Sequence, residues 1–169
     1  MDGMKSVLIV MGSDSDLEQM RAAWTVLDEL GIRYEVAVAS AHRSPDRLIK
    51  LALEARSAGF GVVLAGAGGA AHLAGVIAAH TTLPVVAVPI AVGTLGGVDA
   101  LLSSVQMPGG VPIASVGIGG ARNAGLFAAA IIASSNKDVE DQLEEFRTRQ
   151  VQKVVEADQR IRAKLSTKT

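Results

Sequence analysis

Hydrophobic residues along the chain alternate between short β-branched runs and longer stretches in which apolar positions recur every three or four residues. The runs Ser6–Met11, Tyr34–Ala39, Val62–Ala65, Val85–Val88 and Ile113–Val116 predict strands. They read as apolar on both faces, the mark of parallel strands covered by helices from two sides. Helices are predicted between and after them, at about Asp16–Leu30, Pro45–Ala58, His72–His80, Gly97–Val105 and Arg122–Ser134. Five βα units in series predict an α/β fold: a three-layer α/β/α sandwich around a flavodoxin-like, doubly wound, parallel five-stranded sheet.

A sixth helix, about Lys137–Leu165, has no strand after it. Val139, Leu143, Phe146, Val154, Ala157, Ile161 and Leu165 mark one face, Gln150 interrupts it, and charges fill the rest. At 1.5 Å per residue it is about 40 Å long, more than so small a domain needs to cover itself. The expected division is a catalytic domain at 1–135 and a helix at 136–169 that packs on a neighbouring subunit.

Composition narrows the picture. With 169 residues the chain fits one domain and its core. A formal charge of −1 and 3% aromatic residues lack the basic face and stacking rings of a nucleic-acid binder, so a small-molecule partner is expected. The absence of cysteine removes disulfides, thiolate nucleophiles and cysteine metal sites. The apolar run near the start is too short for a secretory signal, so no export is read. Between Arg56 and Arg122 the single charged residue is Asp99. Gly66, Gly68, Gly69, Pro84, Pro89, Gly93, Gly96 and Gly97 cut this stretch into pieces shorter than the roughly 20 residues of a membrane-spanning helix. Burial both in the core and against other subunits explains it better than a membrane.

In an open parallel sheet, ligands bind beyond the carboxyl ends of the strands, so the loops that follow them carry the candidate chemistry. After the first strand comes Gly12-Ser13-Asp14-Ser15-Asp16. Ser13, Asp14 or Ser15 would cap the next helix, or the hydroxyls and free N–H groups would hold a phosphate. The carboxylates count against a bare phosphate, and Asp16 would suit ribose hydroxyls. After the second strand comes Ser40-Ala41-His42-Arg43-Ser44-Pro45, with proline at a helix start. Arg43 suits phosphate or carboxylate, and His42 is the best single acid–base candidate. After the third comes Gly66-Ala67-Gly68-Gly69-Ala70-Ala71-His72, nearly free of side chains. Either backbone N–H groups receive a ring or carboxylate there, or the glycines serve close helix–sheet packing. His80, at the far end of the following helix, reads as an ordinary surface or interface residue.

These loops, with the later Val105-Gln106-Met107-Pro108, resemble in order and register the class I 5-(carboxyamino)imidazole ribonucleotide mutases, the family of the catalytic subunit of phosphoribosylaminoimidazole carboxylase. The resemblance runs from Val7 to about Ser134. It implies a cytoplasmic isomerase of de novo purine biosynthesis that needs no ATP, no cofactor and no metal. Carbon dioxide would be an enzyme-bound intermediate and His42 the general acid and base. The implied substrate-binding set is Ser13, Asp16, Ser40, Arg43, Ala67, Gly68, Gly69, Ala70, His72 and Leu73, and the implied assembly is a homo-octamer. Two departures stand out: Ala74 replaces the family's usual proline after His-Leu, and Ser44 replaces a common threonine. The competing readings are a class II carboxylase that takes carbon dioxide directly and a non-catalytic nucleotide- or flavin-binding module.

Overall fold

The computed structural model describes residues 5–166. Its elements are β1 (Ser6–Met11), a 3-10 turn (Asp14–Asp16), α1 (Leu17–Glu29), β2 (Tyr34–Val38), α2 (Pro45–Glu54), β3 (Phe60–Gly68), α3 (Leu73–Ala79), β4 (Val85–Ile90), α4 (Val98–Val105), β5 (Ala114–Ser115), α5 (Ala121–Ala133) and α6 (Lys137–Ser166). All strands pair in parallel in the order β2-β1-β3-β4-β5. The chain steps outward from β1 to β2 and then returns to the other side of β1 as β3. The switch point between β1 and β3 opens a crevice at their carboxyl ends, where such sheets bind ligands.

Alternation along the strands divides the core. Val7, Ile9, Met11, Val62 and Leu64 face α1, α5 and the start of α6, while Leu8, Val10, Val63 and Ala65 face α2 and α3. The first layer is close-packed because small residues line it. A Cβ added to Gly125 would lie 2.5 Å from Val26 Cγ1 and 2.6 Å from the Ala23 carbonyl oxygen, so α5 approaches α1 almost backbone to backbone. Arg122 on α5 ties the same layer together at its rim. It forms a two-pronged pair with Glu29, at 2.8 and 3.2 Å, and its guanidinium lies 5.6 Å from the centroid of Phe146 on α6.

Several elements differ from the sequence reading. Gly66, Ala67 and Gly68, expected in a loop, end β3 instead. The glycines serve packing: a Cβ at Gly66 would fall 2.4 Å from Met20 Sδ, and one at Gly68 would fall 2.5 Å from Val92 Cγ2. β2 is not covered on both faces, since it lies at the sheet edge with Val36 and Val38 exposed. β5 shrinks to two residues between Pro112 and Gly117. α6, by contrast, has the extent the sequence predicts, with Val139, Leu143 and Phe146 buried and Val151, Val154, Val155, Ile161 and Leu165 exposed. Among the described residues no helix is long and apolar enough to cross a membrane.

Candidate active site

The crevice at the switch point is a pocket of about 330 Å³ whose walls come from the ends of β1, β2, β3 and β4. On the β1 side the chain turns at Gly12 into the 3-10 turn. Ser13 caps it: its hydroxyl accepts the Ser15 N–H at 3.4 Å, and its own N–H donates to Asp16 Oδ2 at 3.0 Å. This reciprocal capping box is the structural alternative that the sequence held open for Ser13. It spends one Asp16 oxygen on the backbone. Asp16 is only 5% exposed, and burial pushes its carboxyl above the usual value. The hydrogen bonds from Ser13 and Ser15 and the charge of Arg43 pull the other way.

On the β2 side Ser40 organises the turn. Its hydroxyl oxygen accepts the backbone N–H groups of His42, at 3.3 Å, and Arg43, at 3.1 Å. Ser44 braces the same turn by accepting the Ser40 N–H at 2.9 Å and donating to the Ser40 carbonyl at 3.3 Å. A serine hydroxyl at position 44 supplies both bonds, so the methyl of threonine is not needed for them. Ser40 lines the pocket, yet its oxygen is already committed to shaping the loop. Arg43 reaches over the pocket to the Gly12 carbonyl, Nη2 to oxygen at 3.2 Å, and joins the β1 and β2 loops.

His42 and His72 come together from separate loops. His42 Nε2 and His72 Nδ1 lie 2.9 Å apart, with the ring centroids at 5.0 Å and the rings nearly perpendicular. Such a contact requires one nitrogen to carry the proton and the other to offer its lone pair, and the roles exchange with tautomer. Both rings are exposed and both line the pocket. The arrangement sets two imidazoles in hydrogen-bond contact beside an arginine and a buried carboxylate.

Ser13, Asp16, Ser40, His42, Arg43, Ala67, Gly68, Ala70, His72 and Leu73 all line this pocket. Gly69 does not line it. Its φ of 62° makes the turn that returns the chain from β3 toward His72. Sequence reasoning missed Val92, which follows β4 and contributes an apolar wall. The carboxyl-end rule reaches that loop too, but a lone valine among glycines carries no chemical flag. Met107 packs on α3, where a Cβ at Gly75 would meet its Sδ and Cε at 3.2 Å, in a second cavity that also touches His72. His80 caps α3 and bonds the Val76 carbonyl through Nδ1 at 2.8 Å, away from the pocket. Among the described residues, no three His, Asp or Glu side chains form a cluster able to hold a metal ion.

The chain is similar to known proteins over nearly its whole length. The N5-carboxyaminoimidazole ribonucleotide mutase of Thermotoga maritima is 48% identical over 158 residues, covering 94% of this chain and 92% of that protein. The enzyme of the same name from Bacillus subtilis is 52% identical over 151 residues, covering 88% and 93%. The crystal structure of Treponema denticola PurE superposes with a TM-score of 0.85 at 27% identity, over 92% of this chain and 98% of that one. The family model described as AIR carboxylase matches residues 6–153, and the chain belongs to that family.

Proposed function

We propose that this chain is an ATP-independent mutase of de novo purine biosynthesis. It converts 5-carboxyamino-1-(5-phospho-D-ribosyl)imidazole to 5-amino-1-(5-phospho-D-ribosyl)imidazole-4-carboxylate. The observation that carries the reading is the His42–His72 pair at 2.9 Å, set at a switch-point pocket with Arg43 and Asp16, in a chain about half identical to enzymes bearing that name.

The residues support a division of labour. Arg43 holds the phosphate through its guanidinium. The Asp16 oxygen not bonded to Ser13 accepts from ribose. Binding energy is thus collected far from the reacting atoms. His42 donates a proton to the exocyclic nitrogen as the N–CO₂ bond breaks, leaving carbon dioxide beside the aminoimidazole. Ala67, Ala70 and the backbone around Gly68 confine the gas against the ring, a task of orientation rather than charge supply. The ring carbon then attacks carbon dioxide and becomes tetrahedral. His42, now lacking a proton, removes the one on that carbon and restores aromaticity. His72 completes the proton-sharing pair. No net proton is gained or lost.

The direct test is conversion of the carboxyamino substrate by purified protein without ATP. Turnover without added bicarbonate supports the mutase. Consumption of aminoimidazole ribonucleotide only when carbon dioxide is supplied would make it a class II carboxylase instead.

The same reading has the enzyme work in the cytoplasm as a homo-octamer. Leu95, Val98, Leu102 and Val105 form an exposed apolar stripe on and before α4, and the distal half of α6 exposes five more large apolar residues. Faces of this kind are buried by subunit contacts in stable oligomers. Light scattering should therefore give a mass well above a dimer. Truncation after Gln150 should lower that mass while leaving the sheet folded, and a full-length monomer with full activity would overturn the proposal.

A further inference from the structure

Residues 91–97 connect β4 to α4, and Val92 among them lines the pocket. Gly93, Gly96 and Gly97 have φ values of 64°, 57° and 91°, so the segment turns repeatedly and builds little hydrogen-bonded structure of its own. Among the described residues, apart from the Val98 N–H of α4 that donates to the Leu95 carbonyl at 3.1 Å, the hydrogen bonds that tie residues 91–96 to another element come from Gln19 on α1. Its Nε2 donates to the Ala91 carbonyl at 3.2 Å, and its Oε1 accepts the Ala91 N–H at 3.1 Å.

The placement of this double bond gives it a consequence. Ile90, the last residue of β4, pairs with Gly68, the last residue of β3, so the ladder ends one residue before Ala91. The Gln19 amide meets Ala91 as a neighbouring strand would, offering one donor and one acceptor. Of the standard side chains, Asn and Gln alone carry a matched amide donor and acceptor, and Asn is one methylene shorter. The next residue, Val92, is held so close to Gly68 that a Cβ there would lie 2.5 Å from its Cγ2. Val92 lines the pocket beside the β3 end, where the mutase reading requires carbon dioxide to be confined.

The geometry points to Gln19 as a positioning residue: its amide fixes Ala91 and thereby sets Val92 against Gly68 as the apolar wall of the pocket. This rests on the pocket being the ribonucleotide site. Gln19 acts through Val92 and needs no contact with the substrate.

The test is a double-mutant cycle with Gln19→Met, which keeps the volume and removes both hydrogen bonds, and Val92→Ala. Gln19→Met should lower kcat/KM about tenfold, the scale expected for two neutral hydrogen bonds, and Val92→Ala should lower it by a similar factor through loss of the same wall. The double variant should fall no more than about twofold below Val92→Ala, because the two changes break one device. Gln19→Glu keeps the acceptor without the donor and should not restore activity. Hydrogen exchange at the Ala91 amide should accelerate in Gln19→Met with no substrate present. Additive losses, unaltered kcat/KM in Gln19→Met, or unchanged Ala91 exchange would each overturn the assignment. If the unmodified protein fails to turn over the carboxyamino substrate, the mutase reading falls. The positioning role is then still decided by Ala91 exchange and by whether the same cycle is non-additive in affinity for aminoimidazole ribonucleotide.

Discussion

On the β1 wall of the pocket Asp16 is buried and bonded to the backbone of its own turn, whereas on the β2 wall His42 and Arg43 are exposed and their side chains reach across to other loops. The first wall is rigid because a capping box closes it locally. The second has a fixed backbone, set by Ser40 and Ser44, under side chains that are free to exchange partners. The contrast suits a binding wall and a working wall. A carboxylate that reads ribose gains from being fixed, while a proton carrier must move between two positions on one substrate.

Removing the working proton should have the largest effect. His42→Asn keeps size and polarity, so the expected result is an intact fold, nucleotide binding retained and turnover reduced by at least about 100-fold. Near-normal turnover would move the proton carrier to another group, with His72 next. Arg43→Ala attacks the bridge between the walls. Loss of a charge-assisted contact to phosphate should raise KM by about tenfold or more, measured by steady-state kinetics.

Asp16 offers a sharper test of the rigid wall, because its effects on stability and on function should have opposite signs. Its folded-state pKa is raised chiefly by burial, so its favourable contribution to stability is fully present below its unfolded pKa. That contribution is lost as the pH rises through the raised folded value, and above that value the ionised group costs stability. Asp16→Asn should therefore melt higher than the parent at pH 7, with the difference vanishing below about pH 4, while binding of the ribonucleotide weakens. A lower melting temperature at pH 7 would show that the capping box outweighs the cost of burying charge.

The smallest effect is expected at Ala74, beside the working wall. It occupies the second position of α3, where a first-turn N–H has no helical acceptor and proline is tolerated. Ala74→Pro should raise stability by about 0.4–1 kcal/mol through the unfolded chain, with activity unchanged. A loss of activity would mean that His72 depends on the present freedom of that turn.

The βα rhythm and the carboxyl-end rule are enough to bring His42, Arg43, Asp16 and His72 to one edge from the sequence, since each is a polar residue just after an apolar run. Their division into two kinds of wall was not legible. It depends on which oxygen Ser13 and Ser40 offer to which N–H, and serine permits either a cap or a ligand contact. The glycines of β3 were misread as loop because strand propensity counts against them, whereas Met20 and Val92, distant in sequence, are what require them. Gln19 was invisible for the same reason: its partner lies 72 residues away.

Arg122 grips Glu29 on α1 and lies over Phe146, the last large buried side chain of α6. Beyond Phe146 the helix continues to Ser166 as a stiff rod about 30 Å long at 1.5 Å per residue. The cation therefore stands at the fulcrum of a lever. A tilt of about 5° at Phe146 would carry the far tip about 2.5 Å sideways over that length, enough to take an apolar side chain out of a neighbour's groove. In the assembly proposed above, a contact inside one subunit would thus set the bearing along which that subunit reaches for the next.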